Sequence, residues 1–81
     1  MHSKEEILKW VVEIFSHEFG FDPDDLHLET HLIDELDMDS IDAIDMAVRI
    51  EEKTRLPLNE EDLRSIVTIQ DAVDLIHERL P

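Results

Sequence analysis

A single glycine in 81 residues is the feature that most restricts how this chain can fold. Tight hairpin turns and left-handed connections depend on glycine, so a sheet of many short strands would lack the turn residues it needs. The chain also has only three prolines, while the helix-compatible residues Leu, Ile, Glu and Asp are abundant. We therefore expect an all-α protein.

The length predicts one domain over residues 1–81, because so short a chain buries roughly 60–65% of its unfolded surface around one small core. A cleft that encloses a substrate would consume much of that core, which favours a binding module over an enzyme. No run approaches the ~20 apolar residues of a membrane span, and the first six residues lack the features of a secretion signal. We expect a cytoplasmic monomer.

Acidic residues outnumber basic residues by 22 to 7, and the formal net charge is −15. Twelve Asp or Glu residues and no Lys or Arg lie between Lys9 and Arg49. Because like charges repel, nucleic acid is a poor partner and proteins with basic surfaces are favoured. The absence of cysteine excludes a protein thiol, so any thiol chemistry requires an attached cofactor.

Helix one is predicted at about residues 4–18. Ser3 and Glu6 have the spacing of a capping box at its start, and Gly20 is suited to the left-handed residue that follows a helix. Residues 21–39 have no regular period and are predicted to form a long loop. Five aliphatic residues are expected to anchor this loop by burial: Leu26, Leu28, Leu32, Ile33 and Leu36.

Helix two is predicted from Ser40 to about Lys53, because Asp39 and Asp42 can cap its free N–H groups and favour its positive end. Pro57 is expected to stop it. Its apolar residues form two stripes at helical spacing, so that one can face the core and the other a partner. The first stripe is Ile41, Ile44 and Val48, and the second is Ala43, Met46, Ala47 and Ile50.

Two further helix starts follow, at Asn59 and at Thr68 with Asp71. The first begins a short helix. The second begins an amphipathic helix whose apolar residues repeat at Ile69, Ala72, Val73, Ile76 and Leu80. The expected architecture is a four-helix bundle with three longer helices, a short third helix and a long loop between helices one and two.

The sequence offers three kinds of candidate chemical site. A serine hydrolase is disfavoured because there is no G-x-S-x-G elbow and nothing places a histidine beside Ser40. His27 and His31 lack the HExxH arrangement of zinc peptidases and are interpreted as scattered surface histidines. A calcium loop from Asp37 fails because apolar or unsuitable residues occupy its ligand positions. We expect no catalytic residue and no metal site.

Asp39-Ser40-Ile41 resembles the attachment motif of the acyl carrier protein family, which stands at the start of helix two. The resemblance continues through much of the chain. The matching segments are Leu32 to Leu36, Ile41 to Glu52, Leu56 to Leu58, Asn59 to Asp62 and Ile66 to Gln70.

The resemblance implies that a holo-acyl-carrier-protein synthase transfers 4′-phosphopantetheine from coenzyme A to the Ser40 hydroxyl. The thiol of that arm would carry acyl groups as thioesters. The chain would then deliver them to acyl-transferring, condensing and modifying enzymes of fatty acid or of specialised lipid or polyketide biosynthesis. Their basic patches would contact residues that match the family's docking positions: Asp39, Ile41, Asp42, Ile44, Asp45, Val48, Glu51, Glu52 and Ile66.

Three alternatives remain open on the sequence. Asp37 stands where many family members have glycine, and the Leu-Asp-Met-Asp-Ser-Ile-Asp stretch resembles discrete carriers of specialised pathways, such as aryl-polyene-type clusters. A peptidyl or aminoacyl carrier is disfavoured, because the Gly-Gly-x-Ser pattern is missing. An acidic helical interaction domain without any modification would also explain the charge and the amphipathic helices.

Overall fold

The computed structural model describes residues 2–80 and consists mainly of helices. Helix α1 spans Lys4–Phe19, α2 spans Ser40–Thr54, α3 spans Glu60–Ser65 and α4 spans Ile69–Arg79, with one 3₁₀ turn at Pro23–Asp25. Across the described range there is no strand, and one isolated antiparallel bridge joins His31 to Thr68. The all-α fold and its short third helix are therefore confirmed. None of the helices described is long and apolar enough to cross a membrane.

Reciprocal capping boxes begin α2, α3 and α4. In each box the N-cap side chain accepts a hydrogen bond from the backbone N–H of the third helical residue, and the carboxylate of that residue accepts one from the N-cap N–H. The pairs are Asp39–Asp42, Asn59–Asp62 and Thr68–Asp71. These acids satisfy free backbone donors and face the positive helix ends.

The start of α1 differs from the sequence prediction. The Ser3 hydroxyl accepts from the Glu6 N–H at 3.2 Å, but the Glu6 carboxylate pairs with His2 Nδ1 at 2.6 Å instead of closing the box. The other end is as predicted, since Gly20 has a φ of 76° and its N–H donates to the Phe15 carbonyl. Glycine adopts that left-handed conformation without steric cost.

The chain leaves α2 at Arg55, two residues before Pro57, which was expected to stop the helix. Arg55 has a φ of 63°, and its N–H donates to the Glu51 carbonyl at 2.7 Å. This left-handed residue closes the helix before proline would interrupt it. A non-glycine residue in this conformation has no strong sequence signal.

The loop between α1 and α2 is held against the start of α4 by backbone hydrogen bonds. The carbonyls of Leu28 and Thr30 accept from the N–H groups of Gln70 and Ile69 at 2.9 and 3.1 Å. The Leu32 N–H donates to the Val67 carbonyl at 3.0 Å. Because the first N–H groups of a helix have no partner within it, the loop supplies acceptors that α4 would otherwise lack.

The loop is also anchored by side chains, although not by all of those expected. Leu26 and Leu32 are buried, and Leu28 and Leu36 are half-buried against the core. Ile33 was expected to be buried, and that was wrong, since it is 63% exposed. Met38, which the sequence did not single out, is buried instead, two residues before Ser40.

The core is formed by apolar faces of α1, α2 and α4. Ile7, Val11 and Phe15 of α1 are fully buried, and they belong to one cluster with residues of the other two helices. Those partners are Met46, Ile50, Ile69, Ala72, Val73 and Ile76. At the edge of this cluster, Trp10 packs with its ring 4.8 Å from that of His2 and 5.5 Å from Lys53 Nζ.

An ion pair ties α3 to the end of α4. The side chain of Asp62 is buried, and its two oxygens accept hydrogen bonds from Arg79 Nη1 at 2.8 Å and Nη2 at 2.5 Å. These hydrogen bonds, and the one from the Asn59 N–H, hold the pKa of Asp62 below the usual aspartate range, although burial opposes them. The paired carboxylate therefore stays charged in the folded state at pH values where an unfolded aspartate takes up a proton.

We expect the Asp62 pair to contribute to acid unfolding. Because the folded pKa is lowered, its stabilisation is fully present above the unfolded aspartate pKa of about 3.9 and is lost as pH falls through the lower folded value. Asp62→Asn should lower stability at neutral pH and flatten the loss of stability below about pH 4. Denaturant melts from pH 7 to 2 measure both effects. The control is Glu60→Gln, which breaks the exposed Glu60–Arg64 pair. It should leave the loss of stability below about pH 4 unchanged.

Asp37 has a φ of 55°, a left-handed conformation that costs free energy for a residue with a side chain. Asp37→Gly should therefore raise the free energy of unfolding by about 0.5–1 kcal/mol. Asp37→Asn removes the charge and keeps a residue that tolerates this conformation, so its effect should be smaller. If Asp37→Gly and Asp37→Asn raise the free energy of unfolding equally in urea melts, the gain comes from removing the charge and not from relieving backbone strain.

Candidate functional site

Ser40 is the first residue of α2, and its side chain is exposed. The preceding residue, Asp39, caps the helix by accepting from the Asp42 N–H at 2.9 Å, while Asp42 accepts from the Asp39 N–H at 3.2 Å. The buried Met38 fixes the chain just before this cap. The hydroxyl of Ser40 therefore projects from a helix start that is held on both sides.

Two cavities border Ser40. The loop-side groove has a volume of about 510 Å³ and lies between the loop, α2, the end of α3 and the segment that joins α3 to α4. The α3-side groove has a volume of about 580 Å³ and lies between α2 and α3. Both volumes fall in the range of small-molecule sites. The apolar residues that line one or both grooves are Leu32, Ile33, Met38, Ala43, Ile44, Met46, Leu58, Leu63, Ile66 and Val67.

The electrostatics around Ser40 combine a positive helix end with acidic neighbours. The N-terminus of α2 favours negative groups through its free N–H donors and its dipole. Arg64 lines both grooves and forms an exposed ion pair with Glu60 at 2.9 Å. Ser40 is thus an exposed serine between two largely apolar grooves, and the lining of both grooves includes one arginine.

The two apolar stripes of α2 face opposite ways, as predicted. Ile41, Ile44 and Val48 are 74%, 58% and 44% exposed, whereas Met46 and Ile50 are buried. Ala47 is buried as well, and Ala43 lines both grooves. Three large aliphatic side chains in a row on an open helix face are typical of a surface that contacts another protein.

The acids expected at the docking face differ in their surroundings. Asp39 and Glu52 are exposed, and Asp42 and Asp45 are half-buried. Glu51 is half-buried, and its Oε1 accepts from the Leu58 N–H at 2.8 Å, which braces the connection from α2 to α3. Contact of these acids with partners stays a prediction.

Ile66 is the predicted docking residue that is least accessible. Its side chain is 8% exposed, belongs to the core cluster and lines the loop-side groove. Any contact that it makes would therefore be with a group inside the groove. By contrast Val67, which follows it, is 41% exposed on the rim of the same groove.

Arg49 was not singled out for a role in the sequence. Its Nε lies 3.5 Å from Glu18 Oε2 and 3.5 Å from Asp45 Oδ1, and its Nη1 lies 3.9 Å from Glu52 Oε2. The i, i+4 and i, i+3 spacing to Asp45 and Glu52 is a signal for helical ion pairs. The contact with Glu18 comes from α1 and depends on helix packing.

The two candidate metal-ligand histidines, His27 and His31, do not lie in a metal site formed by the described residues. His27 is exposed, while the Nδ1 of His31 accepts from the Asp34 N–H at 3.1 Å. Among residues 2–80 no group of three or more His, Asp or Glu side chains is placed to hold a metal ion.

Comparison with known proteins identifies the family. Residues 9–76 match the family described as phosphopantetheine attachment site. The chain is 37% identical to acyl carrier protein 2 of Ralstonia nicotianae over 93% of both chains. It is 40% identical to the acyl carrier proteins of Myxococcus xanthus and Micrococcus luteus over 94% of its own length and 96% and 94% of theirs.

The chain belongs to the acyl carrier protein family. An acyl carrier protein is a carrier and not an enzyme, and its prosthetic group is 4′-phosphopantetheine. Membership accounts for an exposed site that has no catalytic side chains around it. It also accounts for a chain without cysteine, since the prosthetic group supplies the thiol.

The opposite orientations of the two α2 stripes predict a large effect of truncation in one stripe and a small effect in the other. Ile50→Ala removes a fully buried side chain and should cost about 2–5 kcal/mol of unfolding free energy. Ile44→Ala trims an exposed side chain and should change it by no more than about 0.5 kcal/mol. Guanidinium melts compare the two. A large loss from Ile44→Ala would mean that this stripe packs against the protein.

Proposed function

We propose that Ser40 is the residue to which a holo-acyl-carrier-protein synthase joins 4′-phosphopantetheine from coenzyme A. The observation that carries the proposal is the exposed Ser40 hydroxyl at the start of α2, between two apolar grooves. A transferase must reach the hydroxyl, and the attached arm needs space beside it. Both needs are met at this position.

The other serines are less suited to modification. The hydroxyl of Ser16 donates to the Val12 carbonyl at 2.8 Å, and that of Ser65 donates to the Asp62 carbonyl at 2.7 Å. The Ser3 hydroxyl caps α1. Each of these hydroxyls makes a hydrogen bond within its own helix or helix cap. None of the three serines lines either groove beside Ser40.

The residues around Ser40 would position the prosthetic group. The Asp39–Asp42 box holds the first turn of α2, whose N–H groups and dipole offset the negative charge of a phosphodiester. Arg64 offers a second positive charge from α3, since its exposed pair with Glu60 is easily exchanged. When bound, the group supplies a thiol that holds an acyl chain as a thioester. The apolar groove walls would accept uncharged parts of the arm or chain.

The exposed face of α2 would dock the partners. Ile41, Ile44 and Val48 offer a modest apolar contact, and the acids beside them favour basic patches on the partner. Charge steering speeds encounter, and a small contact allows fast release. These properties suit a monomeric cytoplasmic carrier, with residues 1–81 as one domain. It would move between acyl-transferring, condensing and modifying enzymes of fatty acid or of specialised lipid or polyketide biosynthesis.

Loading with coenzyme A tests the attachment site. The purified protein, incubated with coenzyme A and a broad-specificity holo-synthase, should gain the mass of one phosphopantetheine. Ser40→Ala should gain none, while the matched control Ser65→Ala should be loaded like the wild type. Intact-mass spectrometry reads the result. No adduct on the wild type would favour an unmodified interaction domain, and an adduct on Ser40→Ala would move the site elsewhere.

A further inference from the structure

Arg49 lies among three carboxylates on the docking helix without a close hydrogen bond to any of them. Its distances to Glu18, Asp45 and Glu52 are 3.5, 3.5 and 3.9 Å, which are beyond the usual 2.7–3.2 Å of an N–H to oxygen hydrogen bond. Its Nε is buried and has no hydrogen-bond partner among the residues described. The guanidinium acts as a shared counter-ion, not as one member of a single bidentate pair.

This arrangement divides the charge of α2 unevenly. Asp39 and Asp42, at the Ser40 end, have no basic residue near them on their own helix. Further along, Arg49 offsets Asp45 and Glu52, and it also draws Glu18 from α1 into the same cluster. The Ser40 end of α2 therefore carries two carboxylates that no basic side chain of α2 offsets, although Arg64 of α3 lines the same groove as Asp39.

We propose that Arg49 determines which basic partners this carrier accepts, an inference that rests on the proposed function. By offsetting part of the charge of Asp45 and Glu52, it weakens the attraction of the second half of α2 for a basic patch. The partner that fits is a protein whose basic residues lie against Asp39 and Asp42, with an apolar surface over Ile41 and Ile44. A partner whose basic residues extend along the whole helix would lose much of its advantage.

A double-mutant cycle on loading by a holo-synthase whose basic residues extend along the whole of α2 tests the proposal. In the wild type Asp45→Asn should lower kcat/KM for transfer by less than about twofold, because Arg49 already offsets that charge. Arg49→Gln should raise kcat/KM about three- to tenfold at low salt, and the gain should shrink as salt rises. In the Arg49→Gln background, Asp45→Asn should then lower it about three- to fivefold.

Matched variants separate local from overall charge. Lys4→Gln changes the net charge by the same amount as Arg49→Gln. It also frees a carboxylate, because Lys4 pairs with Asp74 at 3.1 Å between α1 and α4. It should change kcat/KM by less than about twofold. Glu18→Gln leaves α2 unchanged and removes one of the three carboxylates that share Arg49. Because Arg49 would then offset Asp45 and Glu52 more fully, this variant should lower kcat/KM by about two- to threefold. Thermal melts confirm that each variant is folded at the assay temperature.

Two results would overturn the inference while leaving the proposed function intact. One is an equal gain from Lys4→Gln and Arg49→Gln, which would mean that net charge alone sets the rate. The other is an Asp45→Asn effect that is the same with and without Arg49, which would mean that the two residues are not coupled. A wild-type protein that is not loaded at all would instead contradict the proposed function itself.

Discussion

Backbone pairing between the loop and the start of α4 is the constraint on which the Ser40 end of the molecule depends. Leu28, Thr30 and Leu32 exchange hydrogen bonds with residues 67–70, so that the free N–H groups of α4 and the irregular loop satisfy each other. The loop then buries Met38 and presents Asp39 as the cap of α2. An exposed site at a helix start is thus positioned by a helix that contributes no residue to it.

Much of the helical framework could be predicted because its signals are local. A capping residue and the acid three positions later lie within one turn, so Asp39 with Asp42 and Thr68 with Asp71 could be recognised from spacing alone. The burial of loop side chains could not, because a loop has no period and its contacts come from distant segments. Ile33 and Met38 differ in burial for this reason, although both are apolar.

The site likewise combines features with local sequence signals and features that depend on distant contacts. Helical periodicity was enough to separate Ile44 from Ile50, and the resemblance of Asp39-Ser40-Ile41 directed attention to Ser40. Two features could be seen only in the fold. The loop-side groove beside Ser40 includes Ile66, which is distant from Ser40 in the sequence, and Arg49 lies near Glu18 because α1 packs on α2. Left-handed backbone at Arg55 was also hidden, since arginine does not demand it, whereas at Asp37 the glycine of many similar chains was a signal.

Trp10 gives the molecule an optical property that follows from its position. The chain has one tryptophan and no tyrosine, so its near-ultraviolet fluorescence comes almost entirely from one indole. That indole lies on α1 with the ammonium group of Lys53, in the last turn of α2, 5.5 Å from its ring. A rearrangement between these two helices would change the field around the indole, and the emission of the native chain would register it without an added label.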